Sequence, residues 1–406
     1  MTDNNFFTQT VHAGSDVQPS DGTPIAPSIY PAVTYIYDNM DDLSVALHAN
    51  AGYSYARYGS PTVSALEAAL AALEGAEDAV AYSTGMAALH AAFVQANITP
   101  DRPIIAAQDT YGATYSLLKK MFDGEMLHFV DMSDLDAVKS AIDQSSPRVV
   151  FLETMSNPLL KIADLPQIAE WAHAANAMVI VDATFATPYL IQPLKLGADV
   201  VIHSATKYLG GHGDVMGGVI ATSADRARDL RMQQRLYGAN LGPFEAWIVL
   251  RGLRTLALRM REQCANAMKV AQWLIDQPAI AKVIYPGLPD HPNHEVAKRL
   301  FRAGNFGGVV SFELCGAGEP EVPPKDEDYF IFRFMEALKL IRTGTSLGDV
   351  YSLLLYPAQS SHYALGADER HRRGIGDGLV RLSVGIEDAD DIIADLKQAL
   401  NVMNDK

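Results

Sequence analysis

Two apolar, β-branched runs end in groups that can do chemistry together. Val179-Ile180-Val181 closes on the carboxylate of Asp182, and Val200-Val201-Ile202-His203 closes on Ser204-Ala205-Thr206-Lys207. Such runs read as strands, so an acid and an amine stand at neighbouring strand ends. A lysine amine can condense with an aldehyde, and an aspartate can keep a pyridine nitrogen protonated so that the ring withdraws electrons. Pyridoxal phosphate needs this pair, and the bound cofactor stabilises carbanions at a substrate Cα. Ser204 and Thr206 add hydroxyls for phosphate oxygens, while Gly210, Gly211 and Gly213 permit a tight turn with close backbone approach. Alone, Asp182 also reads as a cap and Lys207 as a solvated lysine; the reading rests on the joint frame.

Four further places could complete such a site. Ser83-Thr84-Gly85-Met86 follows a short strand and opens a helix, where free amides attract a phosphate. Tyr111 sits in a turn after a strand, where its ring could stack on a cofactor or serve as ordinary packing. Asn157, in Glu153-Thr154-Met155-Ser156-Asn157-Pro158, could donate to a ring oxygen, although Asn-Pro is also simple turn chemistry. Arg381 interrupts the apolar run Leu379–Gly385. A buried guanidinium needs an anion, either a carboxylate of the chain or that of an amino-acid substrate.

The elements that must hold these groups alternate. From 78 to 222 short apolar runs, including Ala79–Tyr82, Pro103–Ala107, Leu127–Val130, Val149–Leu152 and Gly218–Ala221, are separated by helical stretches. This pattern predicts βαβ units in an α/β fold, with a mostly parallel sheet sandwiched by helices and ligands at strand ends. Residues 1–60 are rich in Pro, Gly and Tyr and read as an extended N-terminal arm, which a helix from Thr62 to Glu74 ends. Residues 223–276 read as long helices with Arg251, Arg254, Arg259 and Arg261 as solvated or paired surface groups. Gly316–Asp328 reads as an exposed charged loop, and Asp388–Met403 as a packed amphipathic helix. We expect three parts: the arm over 1–60, a large cofactor-binding domain over 61–255 and a smaller C-terminal α+β domain over 256–406.

The 406 residues carry 32 Lys and Arg against 48 Asp and Glu, a net charge of −16 that disfavours nucleic acid and anionic membranes. No apolar run nears the ~20 residues of a membrane span, and the opening Met1–Phe7 lacks a basic region and a long apolar core. A cytoplasmic location is expected. Cys264 and Cys315 lie far apart, which suggests neither a disulfide scaffold nor a metal site.

The chain resembles the cystathionine γ-synthase-like family of Cys/Met metabolism, the pyridoxal-phosphate enzymes of trans-sulfuration. The resemblance runs almost end to end, through Val11–Gly14, Tyr55–Thr62, Ser83–Ala87, Tyr111–Thr114, Glu153–Pro158, Val181–Pro188, Ser204–Lys207, Arg251–Leu256, Ser346–Gly348 and Arg381–Gly385. It implies an aminotransferase-like fold (fold type I) and a homotetramer built from catalytic dimers. It implies that Lys207 carries the cofactor, that Asp182 pairs with the ring nitrogen and that Tyr111 stacks on the ring and assists proton transfer. Gly85, Met86, Ser204 and Thr206 would hold the phosphate, joined by Tyr55 and Arg57 of the neighbouring subunit. Asn157 would hold the ring oxygen. Arg381 and Ser346 would bind the substrate carboxylate, with Asn157 and Tyr55 also beside the substrate.

The expected reaction is γ-elimination or γ-replacement on a sulfur-containing or O-acylated homoserine-type amino acid, by a methionine or cystathionine γ-lyase-like or sulfhydrylase-like enzyme. Cystathionine γ-synthase, cystathionine β-lyase and, from another class, a fold-type I aminotransferase stay open. Three departures bear on the substrate: Thr345 and Tyr351 stand where cystathionine-handling members often have glutamate, and Tyr115-Ser116-Leu117 lacks their arginine. Ala113 replaces a cysteine typical of many methionine γ-lyases.

Overall fold

A computed structural model describes residues 6–13, 25–48, 52–315 and 330–404. The loop expected at Gly316–Asp328, the opening Met1–Asn5, Gly14 and Pro24 lie outside the described residues.

Seven strands form the larger sheet: β1 (Asp78–Tyr82), β2 (Ile104–Ala107), β3 (Leu127–Val130), β4 (Val149–Glu153), β5 (Met178–Asp182), β6 (Val200–Ser204) and β7 (Gly218–Thr222). Their spatial order is β1-β7-β6-β5-β4-β2-β3. The pairs β2–β3, β2–β4, β4–β5 and β5–β6 are parallel, as expected where helices intervene. β7 runs antiparallel to both β6 and β1. No helix separates β6 from β7, so the chain turns back instead of crossing over. The inner strands β2 and β4 are buried at every position, the mark of a sheet covered on both faces. One face packs through Ile104, Phe151, Ile180 and Ile202; the other packs through Ile105, Val150, Val179 and Val201.

A second sheet of β8 (Ile280–Ile284), β9 (Val309–Leu314), β10 (Arg342–Thr343), β11 (Leu353–Leu355) and β12 (Leu379–Ser383) takes the order β10-β11-β12-β9-β8. All its pairs except β10–β11 are antiparallel. The architecture is therefore fold type I, a mostly parallel sheet with helices and a smaller C-terminal α+β portion.

Local signals explain the helices beside the site. Pro61–Glu74 starts after Ser60, whose side chain caps Val63 N, and stops at Gly75 in the left-handed region at φ 71°. Gly85–Gln95 starts after Thr84, whose side chain accepts from Ala87 N. Ala224–Tyr237, Pro243–Leu253 and Leu256–Ile275 fill the stretch expected to be helical, and Ala389–Asn404 is the terminal helix.

Two expectations need correction. The arm is not extended throughout: Phe6–His12 and Met40–His48 are helical, and Phe6 is buried edge-on to Tyr189 with ring centroids 5.7 Å apart. Arg259 is not a surface group but 3% exposed. Its Nη1 donates to Tyr208 O at 2.7 Å and its Nη2 to Gly252 O at 2.8 Å. Those carbonyls face inward at the end of one helix and the turn after Lys207, which satisfies the guanidinium without a carboxylate.

Candidate active site

The ends of β4, β5 and β6 meet at one cavity of about 560 Å³, lined by residues that include Gly85, Met86, Tyr111, Asn157, Asp182, Ser204, Thr206, Lys207 and Arg381. Nine of the residues expected to do chemistry are thus brought together. Ser346 borders the adjoining hollow, which shares Thr206, Met216 and Thr345 with the cavity.

Lys207 lines it, half-buried, with Nζ donating to Ser346 Oγ at 3.1 Å. Burial first, then the nearby Arg381 charge, pushes its ammonium below the usual lysine range, while Asp349 pulls the other way. A larger fraction of free amine is available there than on a solvated lysine.

Asp182 ends β5. Its Oδ1 accepts from Thr184 N at 2.9 Å, and Thr184 Oγ1 in turn accepts from Ser204 N at 2.8 Å. Thr184 therefore ties the acid-bearing strand to the one leading to the lysine. Burial raises the Asp182 carboxyl, partly offset by the Thr184 hydrogen bonds and the His203 ring. Among the described residues no salt bridge to Asp182 is present, which leaves its carboxyl open to a cation of a ligand.

Arg381, in β12, is 3% exposed. Nη1 donates to Asn157 Oδ1 at 2.9 Å and Nη2 to Ser346 O at 3.1 Å, while Nε is buried without a partner. Burial lowers its pKa to about 10. No chain carboxylate forms a salt bridge with it among the described residues, which favours an external carboxylate over an internal ion pair. The Arg381 donor fixes Oδ1 of Asn157 toward itself and leaves the Asn157 amide nitrogen to donate elsewhere.

The phosphate end is shaped by glycine. A Cβ at Gly85 would fall 2.9 Å from Ser204 Cβ, and one at Gly218 would strike the Thr84 carbonyl. The first turn of the Gly85–Gln95 helix thereby approaches the Ser204–Thr206 backbone closely, forming an anion cradle. A pyridoxal phosphate fits this donor set: amides and hydroxyls of Gly85, Ser204 and Thr206, a half-buried acid at Asp182 with no salt bridge among the described residues, and the Lys207 amine in the same cavity.

Tyr111 is 44% exposed at the mouth, just before the Gly112–Met121 helix. Tyr55 and Arg57 do not line this cavity. They border another hollow of about 320 Å³ with Tyr30 and Asn240, and Arg57 donates to Arg235 O.

Sequence reasoning missed Glu153, Thr184, Asp349 and His362. Glu153 and Thr184 were visible only as members of motifs. Asp349 lies 2% exposed, where the Lys207 charge acts on it. His362, 2% exposed, is kept neutral by burial and by Arg381, with its pKa lowered to about 4.

The sequence profile of the Cys/Met metabolism PLP-dependent enzymes matches residues 7–401. The chain is 42% identical to a cystathionine β-lyase of Lactococcus lactis subsp. cremoris over 396 residues, covering 97% of this chain and 98% of that one. It is also 42% identical to an L-methionine γ-lyase of Fusobacterium nucleatum subsp. polymorphum over 400 residues, covering 97% of each. The crystal structure of cystathionine γ-synthase from Xanthomonas oryzae pv. oryzae in complex with aminoacrylate and cysteine superposes with a TM-score of 0.89 at 35% identity, covering 99% of each chain. The chain belongs to the Cys/Met metabolism family of pyridoxal-phosphate-dependent enzymes.

Proposed function

We propose that the protein catalyses elimination or replacement at Cγ of a sulfur-containing or O-acylated homoserine-type amino acid. The observation that carries this reading is the contact of Lys207 Nζ with Ser346 Oγ at 3.1 Å, in a cavity shared with Asp182 and Arg381, neither of which has a salt bridge among the described residues. Pyridoxal phosphate, when bound, supplies an electron sink that acidifies the protons at Cα and then Cβ.

Lys207, with its depressed basicity, removes and returns those protons, and Tyr111 assists. Arg381 with Ser346 binds the substrate carboxylate, and Asn157 and Tyr55 complete the substrate side. Asp182 holds the ring nitrogen and Asn157 the ring oxygen. Gly85, Met86, Ser204 and Thr206 hold the phosphate, with Tyr55 and Arg57 reaching in from a neighbouring subunit. Their position outside this chain's own cavity supports the assignment in trans; a homotetramer built from two such catalytic dimers is proposed with it.

Lys207 and Arg381 are the only cations lining the cavity among the described residues, while Met86, Leu89, Met155, Phe185 and Leu355 give it an apolar wall. Such a wall suits a thioether or small acyl group better than a distal carboxylate. Cystathionine chemistry is the second reading, favoured by relatives that carry cystathionine in their names.

We place the enzyme in the cytoplasm, in keeping with its two free cysteines. No helix among the described residues is long and apolar enough to cross a membrane. We also propose the division into an arm to residue 60, a cofactor-binding unit over 61–255 and a C-terminal unit over 256–406. It is supported by the larger sheet ending at Thr222 and the smaller one beginning at Ile280.

The test is turnover of methionine, cystathionine, O-acetylhomoserine plus sulfide, and O-succinylhomoserine plus cysteine, reading ammonia, 2-oxobutanoate and thioether product. Activity on methionine or the acetyl ester is expected. Release of 2-oxo acid only when a keto acid is added would point to an aminotransferase instead.

A further inference from the structure

Glu153 and Asp182 close adjacent parallel strands, and the register pairs them directly. Side chains at paired positions of neighbouring strands share a face, and both carboxyls line the cavity. Glu153 is 9% exposed. Its Oε1 accepts from Thr110 Oγ1 at 2.6 Å and from Tyr111 N at 2.7 Å. One carboxyl oxygen therefore anchors the turn that carries Tyr111.

The charges around it are negative or already engaged. Asp182 faces it from β5 and Asp109 from the turn after β2. Lys161 borders the small hollow behind Glu153 but is held by Asp109 at 2.7 Å and Asp131 at 2.6 Å. Arg373, near Asp109, is held by Glu369 at 2.8 Å and Gln108 O at 2.5 Å. The remaining cations lining the cavity are Lys207 and Arg381, engaged with Ser346 and Asn157.

We propose that Glu153 is a positioning residue that stays uncharged beside Asp182, so that one carboxyl carries the negative charge at this end of the cavity while the other fixes the Thr110–Tyr111 turn. The role given to Tyr111 rests on the cofactor reading above. Burial and the Asp182 charge together push the Glu153 carboxyl up to about 8, as two adjacent carboxyls share a proton more readily than both ionise.

The sign of the stability effect follows. The folded pKa of about 8 exceeds the unfolded value of 4.5. The stabilising contribution of Glu153 is therefore complete below the unfolded value and is lost as pH rises through about 8. Glu153→Gln keeps both the neutral charge and the acceptor. In the full-length protein without substrate, its thermal midpoint should match wild type near pH 5 and exceed it by about 3 °C at pH 9.

Amide exchange at Tyr111 should match wild type in Glu153→Gln and quicken by about tenfold in Glu153→Ala, which has no acceptor. A midpoint difference independent of pH, or equally fast exchange in the glutamine variant, would overturn the proposal. If the alanine variant fails to fold, the glutamine pH profile still decides. Neither readout uses turnover, so either can fail while the reaction at Cγ stands, and the reverse.

Discussion

The strand ends around Lys207 and the segment Tyr55–Tyr58 are both rich in polar and aromatic groups, yet they are built differently. At the strand ends, contacts run between elements of this chain: Thr184 joins β5 to Ser204, Glu153 joins β4 to the Tyr111 turn, and Arg381 joins β12 to Asn157. In the arm, Tyr55 is 40% exposed, and Arg57 lies over the Tyr58 ring at 5.1 Å and donates to Arg235 O. An exposed aromatic beside a guanidinium stabilises little on its own. The difference supports the proposal that the amine, acid and carboxylate sites are assembled within one chain, whereas the arm acts on a second copy.

The largest expected effect is at the self-contained region. Lys207→Ala removes the only lysine that lines the cavity among the described residues, and kcat should fall by about a thousandfold or more. A smaller loss would mean that the strand ends are not the reaction centre.

Mixed subunits separate the two regions. Arg57→Ala and Lys207→Ala homo-oligomers should each be nearly inactive, while oligomers assembled from both should recover part of wild-type turnover. Assembly pairs an intact arm with an intact lysine site in some cavities. No recovery would place the arm's action in its own chain.

Arg381→Lys keeps the charge but loses the planar fork, so kcat/KM should fall by about 10- to 100-fold, chiefly through KM. An unchanged KM would remove Arg381 from the carboxylate site.

The smallest effect concerns acid stability at the same site. The pKa of His362 is lowered to about 4, by burial first and then by Arg381. Its stabilising contribution is present above the unfolded value near 6.5 and is lost as pH falls through about 4. His362→Gln should therefore flatten acid destabilisation between those values by on the order of 2 kcal/mol. Urea midpoints measured from pH 7 to 4 read it directly.

Much of the layout was legible because strand ends announce themselves. Asp182 and Lys207 each follow an apolar run, and Gly75 marks where the helix before β1 must stop. What stayed hidden depends on contacts between distant segments. Arg259 sits on a leucine-rich helix like a surface residue, and only the inward carbonyls of Tyr208 and Gly252 make it a core group. Glu153 acquires its partner from β4–β5 register, which alternation along one strand does not encode. The arm's helices escaped notice because its many prolines and glycines suggest irregular chain, whereas packing of Phe6 on Tyr189 supports Phe6–His12.

We propose that Lys207 bears the cofactor in the cavity it shares with Asp182 and Arg381. Borohydride reduction of the cofactor-loaded protein, followed by peptide mass mapping, tests it most directly. A phosphopyridoxyl mass increment is expected on the peptide containing Lys207, and none on that peptide in Lys207→Ala. An increment on a different lysine, or no increment in wild type, would contradict it.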